Sequence, residues 1–396
     1  MTQTDRSIVV MAYGQSNADV HTSGPRLDSP AWDDPGILVP GDGRGIRGLM
    51  GAFPHAPFDG FSPAGLAEPR NQSLLLAAAA RLRHELGPAA PRVVIRSAAK
   101  GGRRLLGIRQ KDREVTGLLR EVDGRPAALL QDFLDQTRAI VAACAARGHP
   151  AEAIYVLWLH GESDRAMGAQ EYAALVEELV GTVIDALSDL GLPVRWLSVQ
   201  PGGTSGGGTG SFWPNRQAQL DPPLSQIAPA VAAGYLCDYV DQMHYGPRGK
   251  AYLGEWLGHV IAQYHRGAPY RLPPPPRAER AADGLMLRFD PDRAPLAQGD
   301  AAPDGLVLMD RMAELPSRAD WAADRAIRVT PVGTTMDSLR APRIAYAYRR
   351  NAAPDRSVLT GRAFATGNLR TTYEIASILA PGTRLWEPIP AFCLDL

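Results

Sequence analysis

Short apolar runs alternate with amphipathic helical segments along the first two-thirds of the chain, and this alternation restricts the fold more than any other feature. The runs have the length and apolar content of strands buried on both faces of a sheet. They are Ile8–Ala12, Arg92–Ser97, Ile154–Leu159 and Val194–Val199, with Ala232–Cys237 as a weaker fifth candidate. The helical segments are Ser73–Leu86, Ala127–Arg147, Glu171–Leu190 and one from Pro247 to about Tyr264. Strands joined by helices require right-handed crossovers, so the sequence predicts an α/β fold with a parallel, doubly wound sheet.

A proline-rich segment divides the chain. The run Pro273–Pro276 marks a stiff linker at 269–280, between a first domain at 1–268 and a β-rich domain at 281–396. A length of 396 residues is itself typical of two domains. Beyond the linker, short alternating runs separated by Pro, Gly and Asp predict a small β-sandwich. These runs are Leu285–Phe289, Gly305–Met309, Ala326–Val332 and Arg343–Tyr348.

Two segments depart from the alternation. Residues 18–70 are rich in Gly, Pro and Asp, are too long for an ordinary connector, and are expected to form a structured excursion bordering a cleft. Gly202–Gly210 is glycine-rich but lacks the Gly-Lys-Ser/Thr ending of a phosphate-binding loop. It is interpreted either as a mobile edge of the cleft or as a plain surface loop.

Charge and cysteine content exclude several classes of function. The chain has 42 Lys and Arg against 42 Asp and Glu, so nothing favours binding to nucleic acid or to an anionic membrane. Its apolar stretches are too short for a membrane span, and its first residues lack an export signal, which predicts a cytoplasmic protein unless a signal was removed. Cys144, Cys237 and Cys393 are too widely spaced for a disulfide framework or a zinc site. Eight histidines without a His-Glu-x-x-His pattern predict no catalytic metal.

The segment Gly14-Gln15-Ser16-Asn17 directly follows the first candidate strand. A serine at the end of a buried strand is held on a rigid scaffold with its hydroxyl facing a cleft, where a nucleophile is useful. Loop serines more commonly cap helices or turns, so Ser16 alone is weak evidence.

A second segment, Asp-Gln-Met-His at 241–244, adds weight to Ser16. On one tight turn, the carboxylate of Asp241 can hold one imidazole nitrogen of His244 while the other nitrogen faces the serine. The alternative is that Asp241 caps the helix that opens at Pro247 and that His244 is an ordinary surface residue.

Acyl transfer also needs donors for the developing oxyanion. Gly101 and Gly102 follow the second candidate strand, where missing side chains let backbone N–H groups face the cleft, although an ordinary turn explains them as well. His160, at the end of the third candidate strand, can donate a hydrogen bond or can be a satisfied structural residue. Glu162 and Asp164 are interpreted as residues that fix neighbouring loops, with Asp164 alternatively capping the following helix.

Four short blocks, in this order along the chain, resemble those of the SGNH hydrolase superfamily. They are Gly14–Asn17, Lys100–Gly102, Trp158–Asp164 and Asp241–His244. The Gly-Gln-Ser-Asn and Trp-x-x-Gly-Glu-x-Asp forms are most similar to its sialate O-acetylesterase-like carbohydrate esterases, and the resemblance spans roughly residues 7–264. It implies a three-layer α/β/α, flavodoxin-like fold and the hydrolysis of O-acyl esters, typically acetyl groups on sugars, without a cofactor.

The resemblance also implies a role for each site residue. Ser16 is the nucleophile, His244 the general base and Asp241 the residue that orients it. The backbone N–H groups of Ser16 and of Gly101 or Gly102 line the oxyanion hole.

One position departs from the family pattern. The relatives usually have glutamine where this chain has His160, and that side chain helps to bind the oxyanion. A neutral histidine still donates one hydrogen bond, so His160 is retained as an oxyanion donor whose tautomer affects rate and pH optimum. Gln15, Asn17 and Glu162 are expected to support the site.

The sequence therefore predicts a serine esterase that acts on a small-molecule or glycan ester. One alternative is a lipase or thioesterase of the same superfamily, which would need a long apolar acyl channel that residues 18–70 do not suggest. The other is a carbohydrate-binding protein that kept the fold and lost turnover through His160. The C-terminal region is assigned no catalytic role.

Overall fold

A central sheet organises the first two-thirds of the chain, and helices cover both of its faces. The computed structural model describes residues 5–18, 26–47, 60–67, 72–203, 213–221, 223–241, 243–281, 283–299, 301–348 and 367–396. The two irregular segments predicted at 18–70 and 202–210 therefore lie partly outside the described residues.

Within the described residues the central sheet has seven strands. The strands in this part of the chain are β1 (Ser7–Gly14), β2 (Ile37–Pro40), β3 (Phe61–Pro63), β4 (Arg92–Ser97), β5 (Ile108–Gln110), β6 (Arg113–Val115), β7 (Ala151–Leu159), β8 (Val194–Gln200) and β9 (Ala230–Ala233). The helices are α1 (Ala64–Ala67), α2 (Leu74–Leu86), α3 (Ala128–Ala146), α4 (Ala169–Leu187), α5 (Pro214–Ala218), α6 (Leu224–Ile227) and α7 (Pro247–His265).

The strand order of this sheet is β3-β2-β4-β1-β7-β8-β9, with β5 and β6 forming a separate hairpin. Neighbouring strands of the sheet are parallel except for β2 and β3. Without β2 and β3, the order in chain numbering is 2-1-3-4-5, which is the flavodoxin-like arrangement. In such sheets ligands bind beyond the carboxyl ends of the strands, where the order reverses, and here that point lies between β1 and β7.

The two faces of β1 bury their side chains in different layers. Ile8, Val10 and Ala12 pack into a cluster that includes α2 and α7, whereas Val9 and Met11 pack into a cluster that includes α3 and α4. Successive side chains of a strand point to opposite faces, so the continuous apolar run reflects burial on both sides. The predicted α/β class and the four long helices are confirmed, with ends shifted by up to three residues.

The fifth strand candidate is correct only in part. β9 covers Ala230–Ala233, and a 3-10 turn at Gly234–Leu236 replaces the predicted continuation to Cys237. The position at which the turn begins requires glycine, because a Cβ atom at Gly234 would lie 2.2 Å from the hydroxyl oxygen of Tyr245. This close approach depends on a residue distant in sequence, so the apolar pattern alone does not reveal it.

Residues 18, 26–47 and 60–67 are the described parts of the segment predicted as a structured excursion. They contain β2, β3, α1 and a short 3-10 helix at Pro30–Asp33. The four-residue β2 and three-residue β3 are too short to show a clear period in the sequence. The buried side chain of Arg96 on β4 fixes the following loop by contacting the carboxylate of Asp42 and the carbonyl of Gly45.

The C-terminal part consists of antiparallel β-structure. Its strands are β10 (Arg277–Ala281), β11 (Gly284–Arg288), β12 (Leu306–Asp310), β13 (Ala313–Leu315), β14 (Ser317–Ala323), β15 (Ala326–Pro331), β16 (Pro342–Tyr346), β17 (Arg370–Ala376), β18 (Arg384–Pro388) and β19 (Phe392–Asp395). Within the described residues they form sheets β10-β11-β15-β14 and β13-β12-β16-β19 and a β17-β18 ribbon. The predicted β-rich character of this region is confirmed. β10 begins inside the segment predicted as linker because Arg277–Ala281 pairs with β11 as a hairpin.

The apolar core does not stop at the proline run. Leu287 and Ile344 of the C-terminal sheets belong to the same buried cluster as Trp256 of α7 and Tyr235. The C-terminal β-structure therefore packs directly against the layer of α7.

Among the described residues no helix combines the length and apolarity needed to cross a membrane.

Candidate active site

Ser16 lies at the carboxyl end of β1, at the reversal point of the sheet. Gly14 has a φ of +131°, which residues other than glycine rarely adopt, and a Cβ atom there would lie 2.2 Å from the carbonyl oxygen of Leu159. The next N–H group, that of Gln15, donates to the same carbonyl at 3.0 Å. This tight turn leaves Ser16 partly buried at the end of the strand.

Three side chains that are far apart in the sequence form one hydrogen-bonded chain. His244 Nε2 lies 3.0 Å from the hydroxyl oxygen of Ser16, and His244 Nδ1 lies 2.7 Å from Oδ2 of Asp241. The separation of Ser16 from His244 is 228 residues, so tertiary folding alone creates this contact. In this geometry the imidazole can accept the serine proton on Nε2 while Asp241 holds the proton on Nδ1.

The turn at 241–244 is built by Asp241 itself. Its Oδ1 accepts the N–H groups of Met243 at 2.7 Å and of His244 at 2.8 Å, which leaves Oδ2 facing the imidazole. Burial opposes ionisation of Asp241, but these hydrogen bonds, that from the His244 side chain first, outweigh it and lower the pKa of the carboxyl. The alternative of a helix-capping aspartate is not observed, because the residue that caps α7 is Gly246.

Replacement of Asp241 by asparagine tests this arrangement. An amide directed at His244 can donate to Nδ1 and stabilise the wrong tautomer, so Asp241→Asn is expected to lower kcat by about 10²- to 10⁴-fold. Because its pKa is lowered, the wild-type carboxylate stays ionised to a lower pH than an ordinary aspartate does. Protonation of Asp241 should therefore not reduce wild-type activity until the pH falls below about 4. The measurement is kcat against pH for both proteins; equal kcat values for folded samples would contradict the orienting role.

A buried carboxylate beneath Ser16 holds its two neighbours. Glu162 Oε2 accepts from Gln15 Nε2 and Oε1 accepts from Asn17 Nδ2, both at 2.7 Å. Burial raises the pKa of Glu162, and the hydrogen bond from Asn17 is among the contacts that oppose the rise. The carboxylate therefore fixes the residues on either side of the candidate nucleophile.

Asn17 also joins this serine segment to the turn that carries His244. Its Nδ2 donates to the carbonyl of Met243 at 2.9 Å, and its Oδ1 accepts from the N–H of Tyr245 at 3.1 Å. These bonds bracket His244 on both sides along the chain. These contacts join residues more than 220 positions apart, so sequence spacing could not predict them.

Gly101 is the residue of the predicted oxyanion turn that lies against Ser16. A Cβ atom at Gly101 would lie 3.6 Å from the Cβ of Ser16, and the preceding N–H, that of Lys100, donates to the carbonyl of Gly14 at 3.0 Å. Gly102 has a φ of +69°, which favours glycine. The turn therefore brings backbone close to Ser16, as an oxyanion site requires.

His160 does not have the surroundings predicted for an oxyanion donor. Its Nε2 lies 3.2 Å from the carbonyl of Arg103, and its Nδ1 lies 3.1 Å from the hydroxyl of Tyr172. The imidazole is fully buried and stacks with Trp158 and Tyr172 at centroid distances of 4.9 and 5.8 Å. Burial lowers the pKa of His160, which favours the neutral ring. Both ring nitrogens already have hydrogen-bond partners. We therefore remove His160 from the oxyanion set, because a packing contact that the motif does not encode determines its orientation.

The variant His160→Gln distinguishes these two roles. A glutamine can keep the bond to the carbonyl of Arg103 but loses the aromatic stacking, so it is expected to destabilise the fold by about 1–2 kcal/mol. We expect kcat to change by less than about tenfold, because the imidazole is not aimed at the reacting oxygen. Thermal unfolding and steady-state kinetics measure the two effects; a loss of about 10² in kcat with an intact fold would restore the oxyanion role.

Asp164 bonds to a loop and not to the start of the helix that follows it. Its buried Oδ2 accepts the N–H of Leu105 at 2.8 Å, just after the turn of Gly101 and Gly102. The residue that caps α4 is Gly168, so Asp164 does not act as its N-cap. Within the described part of the chain, no three His, Cys, Asp or Glu side chains are grouped as a metal site.

Comparison with known proteins gives likeness at the level of structure only. The sequence matches no protein-family model and no curated protein sequence. The solved structure of a protein described as a novel carbohydrate acetylesterase from Xanthomonas citri is similar with a TM-score of 0.60 and 17% identity, over 98% of this chain and 80% of that one. The chain shares that fold over nearly its whole length, including the C-terminal β-structure.

Two further solved structures are similar to about two thirds of the chain. NanS has a TM-score of 0.47 at 14% identity, over 67% of this chain and 100% of its own. A protein from Arabidopsis thaliana has a TM-score of 0.44 at 18% identity, over 66% of this chain and 98% of its own.

Proposed function

We propose that this protein is a serine esterase that removes acetyl or other short acyl groups from a carbohydrate or a related small substrate. The observation that supports the proposal is the continuous chain from Ser16 through His244 to Asp241, with contacts of 3.0 and 2.7 Å. Such a chain supplies a nucleophile, a general base and an orienting carboxylate, which are the parts that acyl transfer requires.

In the proposed mechanism, Ser16 attacks the ester carbonyl while His244 Nε2 takes the hydroxyl proton. His244 then returns that proton to the leaving alcohol, and an acyl-enzyme remains on Ser16. Water, deprotonated by the same imidazole, attacks the acyl-enzyme and releases the carboxylic acid. The backbone N–H groups of Ser16 and of Gly101 or Gly102 would stabilise the developing oxyanion. No step needs a cofactor.

Two considerations support a carbohydrate ester as the substrate. The sequence blocks resemble those of carbohydrate esterases within the SGNH hydrolase superfamily. The Xanthomonas citri protein that shares the fold is described as a carbohydrate acetylesterase. A lipase or thioesterase of the same superfamily and a glycan-binding protein without turnover are the competing proposals.

A chain-length series separates these proposals. The purified protein is assayed with aryl esters from acetate to decanoate and then with acetylated glycans, with released acetate as the readout. We expect the largest kcat/KM for acetate and release of acetate from at least one glycan. A preference for long acyl chains would favour the lipase proposal, and binding of a glycan without hydrolysis of any ester would favour the binding protein.

A further inference from the structure

The short helix α5 connects the C-terminal β-structure with the segment that carries Glu162. On one side, Nδ2 of Asn215 donates to the carbonyl of Gly161 at 2.6 Å, and Nε2 of Gln219 donates to the carbonyl of His160 at 3.2 Å. These carbonyls belong to the two residues that precede Glu162. The helix thus holds the backbone from which the buried carboxylate reaches Gln15 and Asn17.

The opposite side of α5 is bound by the C-terminal region. Arg216 Nη1 donates to the carbonyl of Ala347 at 3.1 Å, and Oε1 of Gln217 accepts the N–H of Cys393 at 3.2 Å. Gln200, at the end of β8, joins both sides, because its Nε2 donates to the carbonyls of Arg216 at 2.9 Å and of Ala391 at 2.8 Å. Hydrogen bonds to the main chain therefore join α5 to the C-terminal region. Such bonds are directional and fix positions more tightly than apolar packing alone.

Arg216 is the central side chain of this connection. Its guanidinium is fully buried and lies over the rings of Trp213 and Tyr348, at 4.5 and 5.0 Å from their centroids, and it also donates to the carbonyl of Gly203. Within the described part of the chain, no carboxylate lies within ion-pair distance of it. Burying a cation without a contacting anion costs free energy. We therefore expect this charge to have a function in the protein.

The charge of Arg216 acts on Glu162. Burial lowers the pKa of Arg216 and raises that of Glu162, and the opposite charge of each group opposes the effect of burial on the other. Glu162 is the carboxylate whose negative charge favours the Arg216 cation. His244 also contributes a favourable field at Glu162.

The C-terminal contact of Arg216 lies at an unusual point of the backbone. Ala347 has a φ of +61°, which alanine seldom adopts, and its N–H donates to the carbonyl of Gly305 at 3.1 Å. The conformation directs the carbonyl of Ala347 to Arg216. Backbone in sparsely populated regions persists where the surrounding contacts determine it, and such positions cluster near functional sites.

From these contacts we infer that Arg216 is a positioning residue for Ser16, through which the C-terminal β-structure supports catalysis by way of α5 and Glu162. The C-terminal region then contributes to catalysis by helping to position Ser16. The inference rests on the proposed esterase function, and it assigns to that function a residue that does not touch the substrate.

The test compares three variants of the full-length protein on an aryl acetate. Arg216→Met removes the cation and its donors while keeping an extended side chain, and it is expected to lower kcat by about 10- to 100-fold with little change in KM. Arg216→Lys keeps the charge but cannot donate to both carbonyls as a fork, so its kcat should fall by only about three- to tenfold. The matched control is Tyr235→Phe, which removes hydrogen bonds between Tyr235 and the C-terminal Ile389 and Tyr346.

The control separates positioning from general stability. Tyr235→Phe is expected to lower the melting temperature and to leave kcat within about twofold of the wild type, because it weakens the same interface without touching α5. A folded Arg216→Met with wild-type kcat would overturn the inference, as would a Tyr235→Phe whose kcat falls as far. If Arg216→Met does not fold, Arg216→Lys decides: reduced kcat supports the inference and wild-type kcat overturns it. An inactive wild type would instead contradict the proposed esterase function.

Discussion

Ser16→Ala is expected to lower kcat for an aryl acetate by about 10⁴-fold or more, because removal of a serine nucleophile leaves only binding and oxyanion stabilisation. The fold should remain intact, since the hydroxyl is partly exposed and the main-chain turn around Gly14 does not depend on it. KM should change little, because the hydroxyl contributes to the transition state more than to ground-state binding. The measurement is a steady-state assay together with thermal unfolding of both proteins.

Covalent labelling makes this prediction more specific. A serine-directed organophosphonate should modify the wild type at Ser16, as seen by peptide mass spectrometry, and should leave Ser16→Ala unmodified. The matched control is Ser188→Ala, which removes an exposed hydroxyl at the C-terminal end of α4 that donates to the carbonyl of Asp185. That position lies towards the amino ends of the strands, opposite the site. Retention of more than about a tenth of wild-type kcat by Ser16→Ala would mean that another group is the nucleophile.

His244→Ala should produce a loss of similar size. Without the imidazole 3.0 Å from its hydroxyl, Ser16 has no base to take its proton, and in related constellations single losses of nucleophile or base cost about as much as losing both. We therefore expect about a 10⁴-fold or larger fall in kcat, and a Ser16→Ala/His244→Ala double variant no slower than either single one. This lack of additivity identifies two residues that act as a unit.

Chemical rescue provides the second measurement on this variant. Free imidazole in the assay should raise the rate of His244→Ala and should not raise that of Ser16→Ala, because only the first retains the nucleophile. His84→Ala is the matched control, since His84 is exposed near the end of α2, away from the carboxyl ends of the strands. A His244→Ala variant with near-wild-type kcat would exclude His244 as the general base.

The class of fold was accessible from the sequence because β1, β4, β7 and β8 of the central sheet are largely buried on both faces. Such strands are continuous apolar runs, and the helices between them show one apolar stripe, so β1, β4, β7 and β8 were predicted nearly at their observed limits. Short or polar elements were not predicted from the sequence. β10 has the sequence Arg-Ala-Glu-Arg-Ala with no apolar run, and its strand conformation comes from pairing with β11.

The site could be predicted as a set of residues but not as a set of contacts. Ser16 was identified from its position after a strand, and Asp241 and His244 from their spacing on one turn before a helix. The structure brings all three together. His160 was identified by the same reasoning, yet packing against Trp158 and Tyr172 directs its nitrogens elsewhere. The motif specifies where the chain passes, whereas the neighbours of a side chain determine where it points.

Local order can be derived from the amino-acid sequence: which segments are strands or helices, and which reactive residues stand at their ends. Which atoms meet depends on the folding of the whole chain, as in the hydrogen bonds of Asn17 to Met243 and of Arg216 to Ala347. The cause is the range over which each kind of interaction acts. Periodicity and turn chemistry act over a few residues, whereas these contacts join residues separated by 226 and 131 positions, and only the packing of the whole chain brings such residues together.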